Sequence, residues 1–247
     1  MKSFSPTHFK RSVFAAMSVV FLAGRAMAAI NTISAQDDGA PVGGPFPNSS
    51  AASASFLTAA TAIAPVNTIT FEGLPLGYSS SFTAAPGVTV NLTGPDYGDG
   101  FSGLSDTTFG NLYGFNTTPG GSEWLGFPTG SATFDFANPT ASFGFWYTGV
   151  QTTFTSSLTV DFNDGSSESL NLPINVNGGA AFFGFTDAGE SISAITIDDE
   201  SSDAWGVDDV SYNTPSSSSV PDHTPYISVL LLVIPVASSF VRKVRAA

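Results

Sequence analysis

The central part of the chain alternates hydrophobic and polar residues with a period of two. The alternation begins at residues 66–71 and is clearest at 158–162, where Leu, Val and Phe are separated by Thr and Asp. The turn sequence Asn163-Asp164-Gly165-Ser166 follows and leads into a second alternating run at 170–174. This pattern is typical of antiparallel strands with one face in a core and the other in water, and it predicts a hairpin here.

Runs of this kind recur about every ten residues as far as Tyr212, with turn residues between them. That spacing predicts a single all-β domain, a β-sandwich, over residues 65–213. The chain contains 22 phenylalanines, and we expect most of them to fill the core of the sandwich.

Residues 29–64 have a different composition. They are rich in Gly, Pro, Ala and Ser without a regular period. We therefore expect a flexible leader, in which a short helix over 56–62 is the one regular element considered.

The first 28 residues have the layout of a secretory signal peptide. A basic stretch precedes the apolar run 13–24, and Ala26 and Ala28 supply the small residues that signal peptidase recognises. We expect cleavage between Ala28 and Ala29, which makes the Sec translocon and signal peptidase the first partners of the chain.

A second apolar segment lies near the C-terminus. The sixteen residues 226–241 carry no charge and are followed at once by Arg242, Lys243 and Arg245. As a helix they would extend roughly 24 Å, which is short against a hydrocarbon core of about 30 Å. We still predict a transmembrane helix with a basic tail over 225–247. Its basic end lies in the cytoplasm, and the residues before 226, which include the predicted sandwich, lie outside the cell.

Charge is divided sharply between the ends and the body. All seven Lys and Arg lie in the two terminal segments, whereas residues 29–241 contain all 20 acidic residues and no Lys or Arg. A polyanion without cations excludes nucleic-acid binding. The chain also lacks Cys, so no disulfide stabilises the body.

The same composition removes most catalytic groups from the body. Its one histidine is His223, which lies in the C-terminal tail, and there is no thiol, amine or guanidinium. Only carboxylate chemistry is left, so we expect that the body is not an enzyme. The alternative is a weak glycoside-active enzyme that uses a carboxylate pair.

Residues 214–224 lie between the predicted sandwich and the C-terminal apolar segment. They form a Ser-rich tether that contains Val220-Pro221-Asp222. The order of tether, Val-Pro-Asp, apolar helix and basic end resembles the PEP-CTERM sorting signal that exosortases process in Gram-negative bacteria. The motif matches the Val-Pro-Asp-Ser-Gly variant except that His223 and Thr224 replace Ser-Gly. The resemblance implies an exosortase partner, an inner-membrane intermediate, and a final place on the cell surface or in the extracellular matrix. The alternative is an ordinary C-terminal anchor.

The body itself is similar to the exported domain common in PEP-CTERM proteins. The similarity lies in blocks such as 117–121, 143–145, 182–189 and 206–210, which occur in order over residues 66–212. It implies a jelly-roll-like β-sandwich related to carbohydrate-binding modules, with no established enzymatic activity.

Three acidic residues are candidates for a calcium site. Glu72 ends the first predicted strand, and Asp208 and Asp209 lie on the last one, where jelly rolls often bring carboxylates together. If Val210 and Tyr212 point inward, a period of two places Asp208 on their face. Because no Lys or Arg can neutralise a buried carboxylate, we predict calcium here; the alternative is an aspartate capped by backbone N–H groups.

Residues 92–127 are rich in Gly, Asp, Asn and Thr and predict long loops at one end of the sandwich, where ligands usually bind. Tyr97, Tyr113 and Trp124 lie in this region and are candidate glycan contacts, although packing is the simpler role for any aromatic residue. The whole sequence therefore predicts an exported, non-catalytic surface or matrix protein, with extracellular polysaccharide as a candidate partner. The alternative is a carbohydrate-binding module or the glycoside-active enzyme.

Overall fold

The structure is a computed structural model that describes residues 30–94, 103–127, 129–151, 156–187, 191–199 and 204–214. The predicted signal peptide, sorting motif and C-terminal apolar segment lie outside these ranges. Within them, no helix is both long and apolar enough to cross a membrane.

Thirteen strands and one helix occur in the described ranges. The strands are β1 (Asn31–Asp38), β2 (Val66–Ile69), β3 (Ser81–Ala85), β4 (Val88–Leu92), β5 (Gly103–Ser105), β6 (Trp124–Phe127), β7 (Gly130–Thr140), β8 (Ser142–Thr148), β9 (Ser156–Phe162), β10 (Ser167–Asn171), β11 (Gly179–Thr186), β12 (Ile192–Asp199) and β13 (Trp205–Asn213). The helix is α1 (Pro47–Ile63).

The strands form two antiparallel sheets, which confirms the prediction of an all-β sandwich. The first sheet has the order β1-β11-β8-β13-β6-β5, with β2 also paired to β13, and the second has the order β10-β9-β12-β7-β4-β3. The predicted hairpin is present as β9 and β10, in which the backbone of Leu158 is paired with that of Leu170. From β7 to β13 the chain passes repeatedly from one sheet to the other, so most neighbouring strands are distant in sequence.

Phenylalanine fills the space between the sheets, as the composition predicts. Phe134 of the second sheet contacts Phe143 of the first with ring centroids 5.4 Å apart, and Phe143 in turn lies 5.6 Å from Phe145. All three side chains are fully buried. Edge-to-face and tilted ring pairs of this kind add to the free energy gained from burying their area.

The prediction of a flexible leader over 29–64 is wrong. Residues 31–38 form β1, which pairs with β11 from Asn31↔Thr186 to Asp38↔Gly179, and the leader also contains the 17-residue helix α1. The physical reason is tertiary. A polar edge strand and a weakly amphipathic helix interrupted by Ser and Thr are marginal in isolation, but both are stabilised by contact with the finished first sheet.

Helix α1 packs on the outer face of the first sheet through Ala52, Phe56 and Ala60. Phe56 is fully buried over Gly144 of β8 and Gly184 of β11, which are directly paired across the two strands. A Cβ atom on Gly184 would lie 2.6 Å from the Phe56 ring, and one on Gly144 would lie 2.8 Å from it. The two glycines therefore form a socket that only the absence of side chains keeps open.

The first turn of α1 is held by a carboxylate from β1. Asp37 accepts hydrogen bonds from the backbone N–H of Asn48 at 3.1 Å and from that of Ser49 at 2.8 Å. Burial is the largest single effect on the pKa of Asp37 and raises it, but these bonds outweigh burial and the pKa is lowered. A negative charge here also complements the helix dipole.

We predict that Phe56→Ala lowers the free energy of unfolding by about 3 to 5 kcal/mol, because it empties the socket. Gly184→Ala should be destabilising as well, since the new methyl group displaces the ring. In the double variant the methyl occupies part of the emptied space, so its loss should be smaller than the sum of the two single losses. Urea unfolding measures all three, with Thr58→Ala on the exposed side of α1 as the control. Strict additivity would contradict the socket.

Candidate functional site

Asp208 and Asp209 lie at a β-bulge in β13. Asp208 is paired with Trp146 and Ser211 with Gly144, so β13 has one more residue than β8 over this interval. Asp209 is the residue with a left-handed backbone, at φ 45°. The extra residue reverses the alternation of inward and outward side chains along the rest of the strand.

The bulge corrects the expected orientation of Asp208. Val207 before the bulge and Val210 after it both point into the main core. Asp208 therefore does not share the face of Val210, as a strict period of two predicted, but lies on the outer face of the first sheet. It is nevertheless buried, with 1% of its surface exposed, because a loop covers it.

The covering loop is residues 116–123, which we call the TPGG loop after its central residues. Oδ2 of Asp208 accepts the backbone N–H of Thr117 at 2.6 Å and that of Thr118 at 3.1 Å, and Oδ1 accepts the N–H of Asp209 at 2.8 Å. Burial and the charge of Asp209 raise the pKa of Asp208 to about 7, and the three N–H bonds only partly oppose this rise.

Asp209 binds the same loop through a side chain. Its Oδ1 accepts the hydroxyl of Thr118 at 2.7 Å. Burial raises the pKa of Asp209, the Thr118 bond lowers it, and the nearby charge of Glu72 raises it further, with a net increase.

Glu72 holds the far end of the TPGG loop. Its Oε1 accepts the backbone N–H of Ser122 at 2.8 Å and that of Glu123 at 2.9 Å, and it also accepts the amide of Asn116 at 3.1 Å. Gly121 lies so close to this carboxylate that a Cβ atom there would collide with it.

The structure thus brings Glu72, Asp208 and Asp209 to one loop, but their hydrogen bonds favour the capped-aspartate interpretation. Both oxygens of Asp208 already accept N–H groups, whereas calcium needs six to eight oxygen ligands. In the part of the chain that the structure describes, no group of three or more His, Asp or Glu is arranged to hold a metal. The calcium site stays a prediction.

The predicted glycan contacts need a correction. Trp124 has 1% of its surface exposed, and its indole N–H donates to the carbonyl of Thr107 at 3.2 Å. It fits against Gly114 and Gly206, so it cannot stack on a sugar. Tyr113 is 46% exposed, and Tyr97 lies outside the described residues.

A cleft of about 510 Å³ opens beside the TPGG loop, on the outer face of the first sheet. One wall is the TPGG loop and the other is residues 42–46, which precede α1. Trp146, Asp106 and Asp209 also line it. Trp146 alternates with buried Phe145 and Tyr147, so a period of two places it on the outer face of the sheet.

Comparisons with known proteins leave the family open. No family model matches the chain, and no curated protein matches it. A solved structure with some similarity is that of the enzymatically active domain of tailspike protein 4 from bacteriophage CBA120, at 18% identity and a TM-score of 0.30. The match covers 51% of this chain and 19% of that one, so it spans about a fifth of the tailspike structure.

One expectation is withdrawn on this finding. The sequence led us to expect that the body is not an enzyme, whereas the matched structure is described as an enzymatically active domain. A likeness at this level assigns no activity to the present chain.

The raised pKa of Asp208 predicts a specific pH dependence. Its pKa is about 7 in the folded protein against an ordinary value of 3.8, so the folded state binds this proton more tightly than the unfolded state. The free energy of unfolding should therefore fall as pH rises from about 4 to about 7. At roughly 1.4 kcal/mol for each tenfold change in proton affinity, the fall is on the order of 4 kcal/mol.

Asp208→Asn should remove most of this dependence of the unfolding free energy on pH, as measured by urea unfolding in EDTA from about pH 4 to about pH 7. Asp135→Asn removes one exposed charge from the second sheet and should leave the slope in place. The assignment would be wrong if both variants kept the slope of the parent protein.

The calcium prediction has a separate test. A bound ion would raise the melting temperature in millimolar calcium over that in EDTA at the same ionic strength, by several degrees. Asp209→Asn and Glu72→Gln should each abolish the difference, and Asp135→Asn should not. Equal melting temperatures in the two buffers would contradict the ion and leave the carboxylates as acceptors for the TPGG loop.

Proposed function

We propose that this chain is an exported protein that an exosortase sorts to the cell surface or extracellular matrix of a Gram-negative bacterium. The observation that carries the proposal is the division of charge. Every Lys and Arg lies in the two segments where membrane insertion uses cations, and none lies in residues 29–241. Val220-Pro221-Asp222 stands between the body and the C-terminal apolar segment, where a sorting enzyme would act.

The way the body ends supports this proposal. Asn213, the last residue of β13, is fully buried, and its Oδ1 accepts the backbone N–H of Ala141 at 2.9 Å and the hydroxyl of Thr140 at 3.0 Å. The Ser-rich tether 214–224 begins at the next residue. Cleavage or transfer of the tail would therefore leave the contacts of the last strand intact.

The jelly-roll-like assignment belongs to the same proposal. It is supported by the repeated passage of the chain between the sheets from β7 to β13 and by the pairing of β2 with β13. Such a closed body without cysteine suits export, because its stability comes from the apolar core and needs no oxidation step.

We predict that the mature protein, recovered from the surface of an exosortase-containing host, begins at Ala29 and lacks residues near 225–247. Intact-mass measurement decides this. Trypsin has no site from Ala29 to Val241, so a digest for mapping must cut at Asp or Glu. Tryptic release of short C-terminal peptides after Arg242 would itself report an unprocessed tail.

Replacement of Val220-Pro221-Asp222 by three alanines should leave the tail attached, whereas replacement of Ser216-Ser217-Ser218 in the tether should not. A host without the exosortase should also retain the tail. If the full tail with Arg242, Lys243 and Arg245 is recovered from the competent host, the segment is a plain membrane anchor and the sorting proposal fails.

A further inference from the structure

We propose that the cleft between residues 42–46 and the TPGG loop binds a saccharide without acidic groups. The inference rests on the proposed function, to which it adds a ligand for the exported body. Binding is measured on purified protein, so it can fail while tail processing succeeds, and the reverse.

The cleft has the dimensions of a ligand site. Its volume of about 510 Å³ lies inside the range of roughly 300 to 1,000 Å³ that is usual for small-molecule sites. Its walls come from segments far apart in the chain, and both are fixed. Asp37 holds the start of α1 beside one wall, and Asp208 and Glu72 hold the TPGG loop that forms the other.

Trp146 provides an aromatic surface in this cleft. It is partly exposed, and its ring contacts Phe46 and Phe182, each with its centroid 6.0 Å away. A pyranose ring has an apolar face of C–H groups that packs well on an indole held in place, because little side-chain freedom is then lost on binding.

The polar groups around Trp146 suit hydroxyls. Asp106, Asp209 and Asn116 line the cleft together with the hydroxyl of Thr108. A carboxylate has several acceptor positions, so it can accept two neighbouring hydroxyls at once. Asp209 keeps acceptor capacity beyond its bond to Thr118, and its left-handed backbone at the bulge is the kind of local strain that clusters at binding sites.

Charge limits the class of saccharide. Asp106 and Asp209 face the cleft, and residues 29–241 contain no Lys or Arg that could pair with an anion. Uronates, sulfated sugars and phosphate-bearing ligands would be repelled and left without a partner charge. Neutral and amine-bearing sugars meet no such penalty, and an ammonium group would gain from the two carboxylates.

The experiment uses the full chain, purified in mild detergent because of its apolar C-terminal segment. Three tetrasaccharides serve as probes: a neutral β-glucan, a fully deacetylated glucosamine oligomer and a galacturonate oligomer. Calorimetric titration should detect binding of the neutral oligomer, the glucosamine oligomer or both, and at least tenfold weaker binding of the galacturonate.

Trp146→Ala should lower the affinity at least tenfold, and Trp146→Phe should restore part of it. The matched control is Tyr113→Ala, which removes an exposed aromatic residue that does not line the cleft and should leave the affinity unchanged. Asp106→Asn changes an exposed residue without disturbing the core, and it should weaken the glucosamine oligomer more than the neutral one.

These variants keep the test decisive even if Trp146→Ala disturbs folding. In that case Trp146→Phe and Asp106→Asn decide, provided that their melting temperatures match that of the parent. The proposal is overturned if none of the three oligomers binds at about 10 mM, if the galacturonate binds as tightly as the others, or if Tyr113→Ala weakens binding as much as the Trp146 variants do.

Discussion

No carboxylate in residues 29–241 has a Lys or Arg within the same range with which to form an ion pair, and much of the described structure follows from this constraint. A buried or half-buried carboxylate must then be satisfied by N–H and O–H donors. The buried Asp37 accepts from the first turn of α1, and the buried Asp208 accepts from Thr117 and Thr118. The exposed carboxylates of Asp38 and Glu72 accept in the same way, from Asn177 and from Ser122 and Glu123. The bonds of Asp38, Glu72 and Asp208 join segments at least 50 residues apart, and those of Asp37 span 11 or 12 residues. Acidic residues thus act here as points of attachment for loops, a role that cations share in most proteins.

The two sheets differ in what covers their outer faces. On the second sheet, Asp135 bonds Asn91 and Thr133 bonds Thr196, and these side chains form a polar surface. On the first sheet, α1 and residues 106–122 form another layer, in which Phe56 lies over paired glycines. The cleft lies at the edge of this added layer. Its position therefore depends on segments outside the sandwich proper.

The sequence predicted the parts of the fold that depend on local pattern. The alternation at 158–162 located a real hairpin, and the phenylalanines are in the core as expected. The alternation of residues 143–147 likewise places Trp146 on the face opposite to Phe145 and Tyr147. Non-local effects were missed. Residues 31–38 have no clear strand pattern of their own, because β1 is stabilised by pairing with β11, which lies far along the chain. One extra residue in β13 places Asp208 on the other face of the sheet, and the composition of the strand gives no sign of it.

The pairing of β1 with β11 also has a consequence for the order in which the chain would assemble under the proposed export. β1 begins at Asn31, so it would be the first element to leave the translocon, whereas β11 would be among the last. Until β11 emerged, β1 would lack its strand partner and α1 would lack the sheet on which it packs. Their polar and Ala/Ser-rich composition suits this delay, since it exposes little apolar surface that would aggregate while the sheet is incomplete. The weak hydrophobic patterning that made β1 and α1 hard to predict from the sequence would thus also keep them from aggregating before the sheet is complete.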